Sequence, residues 1–287
     1  MTEARQLRKR LQRIVITLLV VVLACVAVTY AWYIYNTTRH VTDVKMAAGT
    51  GVTLLISDSY DGDYKTSVGL SLEGYLNPVS TDNIQNGFQK VTGFTGGTTQ
   101  DSLLASVFAP AERSDYYETS LYLTTNSLAT DVYLSDIAFE DLDEKNPIST
   151  AMRVGLLVHE PGEGRPVAAQ YVFALSQAHN PQARYNTLNG TEGDVLDSTK
   201  TDGSTVTFTP LTSQNYCQYD EETAEVTVRP DTVRLCRLPA AEQGAEHATP
   251  VQVDVYLWLE GCDEDCTNNL MSTNLQSLAF HFAGDQG

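Results

Sequence analysis

Most of this chain is written in period two, and that pattern constrains its fold more than any other feature. Tyr117, Thr119, Leu121 and Leu123 alternate with Glu118, Ser120, Tyr122 and Thr124. Successive side chains of a strand point to opposite faces, so such spacing gives one face to a core and the other to a different environment. Asp131 to Phe139 continues in the same style. Val52 to Ile56, Met152 to Val158, Val167 to Leu175, Thr205 to Phe208, Val251 to Leu259 and Leu275 to Phe282 are further predicted strands. They are rich in Val, Tyr, Thr, Phe and Leu, and clusters of Gly, Pro, Asn and Asp separate them. Beyond the N-terminus, no stretch sustains an amphipathic helical period for more than about three turns. Gln100 to Phe108 suits a short helix or a strand equally. The expectation is an all-β fold in which antiparallel sheets pack face to face as a sandwich.

The N-terminus follows other rules. Arg5, Arg8, Lys9, Arg10 and Arg13 stand against the single acid Glu3, and an uncharged run follows from Ile14 to Tyr35. As a helix, at about 1.5 Å per residue, that run spans about 30 Å of hydrocarbon. The basic flank stays on the cytoplasmic side, which sends the rest of the chain across the membrane. Thr29-Tyr30-Ala31 offers a signal peptidase small residues at the −3 and −1 positions, with cleavage between Ala31 and Trp32. Residues 1–35 are therefore expected as a signal peptide or membrane anchor, 36–50 as a linker or donor-strand segment, and 51–287 as one extracytoplasmic β domain. Residues 177–203 hold Asn180-Pro181, Asn189-Gly190, Glu192-Gly193 and Asp202-Gly203 with few apolar anchors, the mark of a long surface insertion. Ala240 to Pro250 is a second polar loop.

Charge excludes one class of partner. The chain carries 18 Lys and Arg against 36 Asp and Glu, and the basic N-terminus holds five of the 18. A surface this negative repels polynucleotides, so no nucleic-acid partner is expected. Cys217, Cys236, Cys262 and Cys266, an even count in an exported domain, predict two disulfides, with three connectivities open and the two local pairings the simplest. No histidine lies near either pair at zinc-ligand spacing.

A search for catalysis finds no constellation. His40, His159, His179, His247 and His281 are scattered, no His-Glu-x-x-His pair exists, and Gly69-Leu70-Ser71-Leu72-Glu73 lacks the second glycine of a nucleophile elbow. No catalytic residue is predicted. Two acidic turns offer hard oxygen ligands: Asp58, Asp61 and Asp63 around Gly62, and Glu260, Asp263, Glu264 and Asp265 around Cys262. Carboxylates gathered across a turn are what calcium requires, although neither turn has EF-hand spacing. Calcium is the one cofactor these residues suggest. The 15 tyrosines, including Tyr116, Tyr117, Tyr122, Tyr133, Tyr171 and Tyr256, suit both a sandwich core and an assembly surface.

Short segments in a fixed order carry a family likeness. They are Thr29-Tyr30-Ala31-Trp32-Tyr33, Val41 to Met46, Val52 to Ser57, Leu76 to Thr81, Ile148 to Val154 and Tyr256 to Cys266. In these the sequence resembles the TasA/camelysin group of Gram-positive exported proteins, whose signal peptides are cut by a SipW-type peptidase. The resemblance implies a jelly-roll-like β-sandwich that forms extracellular matrix fibres, secreted from or anchored to a Gram-positive cell. It also implies that a freed N-terminal segment completes a neighbour's sheet. Here that donor runs from Trp32 to Met46, with Trp32, Tyr33, Val41, Val44 and Met46 as its apolar side chains. The implied partners are other copies of the chain or other matrix and surface proteins, the signal peptidase, and the membrane through residues 14–35. The alternative is a membrane-anchored monomer that binds a glycan, peptide or divalent cation through its long loops.

Overall fold

The computed structural model describes residues 17–18, 21, 41–48, 54–71, 76–95, 105–176, 185–186, 191–192, 209–263, 265–268, 270 and 273–286. A compact unit runs from Val41 to Gly287. Apart from Thr17, Leu18 and Val21, the expected export segment lies outside the described residues, as do Ala31, Trp32 and Tyr33. Among the described residues no helix is long and apolar enough to cross a membrane.

The unit is all-β, with single 3-10 turns between strands. In chain order the strands are β1 (Val41–Ala48), β2 (Leu54–Ser57), β3 (Ser67–Ser71), β4 (Pro78–Ser80), β5 (Gln89–Thr95) and β6 (Ala105–Pro110). Next come β7 (Tyr117–Thr125), β8 (Thr130–Asp141), β9 (Met152–His159), β10 (Val167–Ala174), β11 (Tyr185–Asn186) and β12 (Thr191–Glu192). The last are β13 (Thr209–Pro210), β14 (Gln218–Asp220), β15 (Glu225–Thr227), β16 (Arg234–Leu238), β17 (Val251–Glu260) and β18 (Leu275–Asp285). Of the undecided stretch Gln100 to Phe108, Ala105 to Phe108 lie in β6 and the rest lies outside the described residues. Expected strand residues Thr205 to Phe208 and much of the 177–203 insertion lie outside the described residues.

The first sheet has the order β16-β8-β18-β1-β3, and the second is built on β17, flanked by β9 and β7. β2 adds beyond β7, and β10 and β13 add beyond β9. One core lies between the sheets. Val132, Leu134, Leu278, Phe280 and Phe282 of the first sheet meet Leu54, Leu121, Leu123, Val154, Leu156, Val253, Val255 and Leu257 of the second. Alternation sets this up: Leu121 and Leu123 turn inward while Ser120 and Tyr122 turn outward.

β9 and β17 depart from the simple half-buried pattern, because they are buried on both faces along almost their whole length. Burial on both faces requires a further layer. The segment from Leu76 to Thr95 supplies it: β4 joins the C-terminal end of β17 at Leu259 and Glu260, and β5 pairs onward to β6. Val79, Ile84 and Phe88 thereby cover Leu157, Val172 and Trp258 in a second, smaller core. A Cβ on Gly155 would collide with Ile84 Cδ1 and crowd the Trp258 ring, so glycine is what lets this layer seat. Asp115 pins the layer, accepting hydrogen bonds from Lys90 Nζ at 2.8 Å, Asn77 Nδ2 at 2.7 Å and the Glu112 amide at 2.7 Å. Burial opposes ionisation of this carboxyl, yet those donors outweigh it and hold the group below the ordinary aspartate value.

The expected disulfide framework needs correction. Among the described residues no disulfide is present. Cys236 packs on the main core opposite Val132, whereas Cys217 packs with Tyr133 and Ala283. Neighbouring residues of one strand face opposite ways, so Val132 and Tyr133 put these two cysteines on opposite faces of the sheet. Proximity in sequence could not reveal that. Burial pushes the Cys236 thiol up to about 12 and the Cys217 thiol up to about 11, and both are protonated at neutral pH.

Candidate functional site

The two acidic turns that look alike in sequence have opposite fates. After β17, Glu260 and Asp263 are fully buried. Glu260 accepts from the indole Nε1 of Trp258 at 2.9 Å and from the Cys262 amide at 3.0 Å. Asp263 is ion-paired to Arg153, itself fully buried, and accepts from the Asp265 amide at 2.7 Å. The Arg153 guanidinium also donates to the Met152 carbonyl at 3.1 Å. These carboxylate oxygens face protein donors, with the Arg153 guanidinium as the positive charge beside them. The turn is a buried polar knot that ties β17 to β9. Arg153 is the residue that sequence reasoning missed. A lone arginine in an apolar run, Met-Arg-Val-Gly-Leu-Leu-Val, is the signal that could have found it, since a buried charge demands a partner.

Asp58, Asp61 and Asp63 are solvent-exposed on the turn between β2 and β3, which an Ile56–Lys65 bridge closes. The turn forms one wall of an open groove of about 920 Å³. The other wall is the polar loop from Pro239 to Pro250. That loop is anchored to the end of β7 by the Ala248 amide on the Thr125 carbonyl and by Thr124 Oγ1 on the Ala248 carbonyl, both at 2.8 Å. The Tyr64 and His247 rings are in tilted contact, their centroids 4.5 Å apart, and join the two walls. The Tyr64 hydroxyl donates to the Tyr60 carbonyl at 2.8 Å. Burial first, then the neighbouring Tyr60, Tyr122 and Asp61, push the Tyr64 phenol above its ordinary value, so its ring stays neutral. Among the described residues no group of three or more His, Cys, Asp or Glu is gathered to hold a metal ion.

Ser120, Asp254 and His159 also meet, on the outer face of the second sheet. Asp254 accepts from Ser120 Oγ at 2.6 Å and Gln252 Nε2 at 2.8 Å, and it lies 2.7 Å from His159 Nε2. The carboxylate stands in the middle, and the other imidazole nitrogen faces the Arg165 carbonyl at 2.7 Å. In hydrolytic triads the imidazole stands between the hydroxyl and the acid, so that it can take the hydroxyl proton. Here the serine proton points at the acid, and the cluster cross-links β7, β17 and the turn after β9.

Of the predicted donor residues, Val41, Val44 and Met46 fall in β1. Val41 pairs with Ser277, Val44 with Phe280 and Met46 with Phe282, in parallel along β18, while β3 pairs antiparallel on the other edge. No family model, curated protein or solved structure matches the chain.

Proposed function

We propose that the chain is a non-catalytic, extracytoplasmic structural protein, a jelly-roll-like sandwich that assembles by β-strand addition into matrix or envelope fibres. The observation that carries this reading is β1. It is the first strand of the unit, it lies between β18 and β3, and both ladders hold it by main-chain hydrogen bonds. A strand in that position can be supplied equally by another copy, because main-chain pairing depends on sequence only through alternate side-chain positions. Among the described residues β3 pairs with β1 alone, so an edge stands beside the exchangeable strand. In this reading the export segment directs the chain across the membrane of a Gram-positive cell, and the signal peptidase frees the donor.

The test is the N-terminal sequence and sedimentation state of the protein recovered from its native cells. The proposal expects a mature end at Trp32 in material that pellets as polymer, with a synthetic peptide of residues 41–48 inhibiting polymerisation. A membrane-bound monomer with an intact N-terminus would overturn it and favour an anchored binding module.

A further inference from the structure

We propose that the groove between the β2–β3 turn and the Pro239–Pro250 loop is a binding site for a linear organic cation of the polyamine class. Asp61 and Asp63 stand on one wall, and Glu242 and Glu246 on the other. No lysine or arginine is among the described lining residues. Ion pairs with arginine are present elsewhere on the surface, at Asp131 with Arg234 and Arg237, so this acidity is a local arrangement within an acidic protein.

Aromatic faces add what charge alone lacks. The tilted Tyr64–His247 pair bridges the two walls, and Tyr60 is braced edge-on against Tyr122 at 5.8 Å. Electron-rich ring faces attract ammonium groups and pack against methylenes. His247 Nδ1 lies 2.9 Å from the Ala248 carbonyl, an acceptor, so in the neutral ring Nδ1 carries the proton and Nε2 is an acceptor. The cavity volume falls within the range of small-molecule sites, about 300–1,000 Å³.

The dispersal of the carboxylates selects the ligand. A metal ion needs several oxygens within bonding distance of one point, and these carboxylates do not converge. Negative charges on two walls joined by an aromatic contact match a ligand whose charges are spaced along an apolar chain. A linear polyamine has that form: ammonium groups for the rims, and methylenes for Tyr64. The site does not depend on whether the chain polymerises.

Calorimetric titration of the full-length chain in non-ionic detergent with spermidine provides the test, with thermal melts confirming that each variant is folded. Saturable binding with one site per chain is expected. Glu242→Gln together with Glu246→Gln should weaken it at least tenfold. Tyr64→Leu should weaken it several-fold while Tyr64→Phe retains it, which separates a ring contact from bulk charge. The β14–β15 hairpin is the control, because Glu221, Glu222 and Glu225 are exposed on it outside the groove. Changing all three to Gln should leave the affinity unchanged. Absence of saturable binding would overturn the proposal. Equal weakening by the hairpin variant, or full displacement by magnesium at matched ionic strength, would also overturn it, reducing the effect to diffuse charge.

Discussion

The turn after β2 carries three carboxylates and the turn after β17 four, each around a tight bend, yet they do opposite things. Asp58, Asp61 and Asp63 are exposed, whereas Glu260 and Asp263 are fully buried. The difference arises in the neighbouring layers. The β17 turn lies under the β4–β5 segment and beside Arg153, so its carboxylates had to find donors or stay un-ionised. The acids of the β2 turn are exposed, so each is open to solvent. Acidic composition therefore marks a turn, and burial decides whether its charges brace the fold or face a ligand.

The largest effect is expected from removing one half of the buried pair. Arg153→Ala leaves Asp263 without its guanidinium and should lower unfolding free energy by about 3–5 kcal/mol. Replacing both partners, Arg153→Met with Asp263→Leu, should recover most of that loss. Urea denaturation reads both, and a single-variant loss below about 1 kcal/mol would show that the knot is not structural.

Trp258→Phe takes the indole donor from Glu260 and should cost about 1–3 kcal/mol, the range for stranding a buried acceptor. Asp115→Asn tests the clamp on the covering layer, with an expected loss of about 1 kcal/mol at neutral pH. Its pH dependence has a definite sign. The folded carboxyl titrates below its unfolded value, so its contribution is complete above the ordinary aspartate range and is lost as pH falls through the folded value. The gap between wild type and Asp115→Asn should therefore close on acidification; a gap that widens would contradict the assignment.

The smallest effect belongs to the exposed turn. Asp58→Asn, Asp61→Asn and Asp63→Asn should each change stability by less than about 0.5 kcal/mol in the same denaturation experiment. Asp61→Asn and Asp63→Asn should nonetheless weaken spermidine binding, while Asp58→Asn, which does not line the groove, should not. Stability and binding would then separate within one turn.

Strands β7, β8, β9, β10, β17 and β18 were legible because each carries enough alternating or continuous apolar residues to declare its period. β4, β14, β15 and β16 were not: they are three to five residues long and owe their strand geometry to a partner's ladder. The same limit applied to the sites. A cluster such as Glu260-Gly261-Cys262-Asp263 looks like a cation loop until Arg153, distant in sequence, is known to lie against it. The groove draws its walls from two loops separated by most of the chain, and spacing along a sequence carries no record of that meeting.

The sequence by itself determined the all-β class, the principal strands with their inward and outward faces, and the acidity that disfavours polynucleotides. These are local consequences of side-chain period and charge. Tertiary structure alone decided which carboxylates are buried, which face of a sheet each cysteine occupies, and where Tyr64 meets His247. Those outcomes depend on which strands become neighbours and which layer covers them, and strand pairing is a long-range contact that no short window of residues encodes.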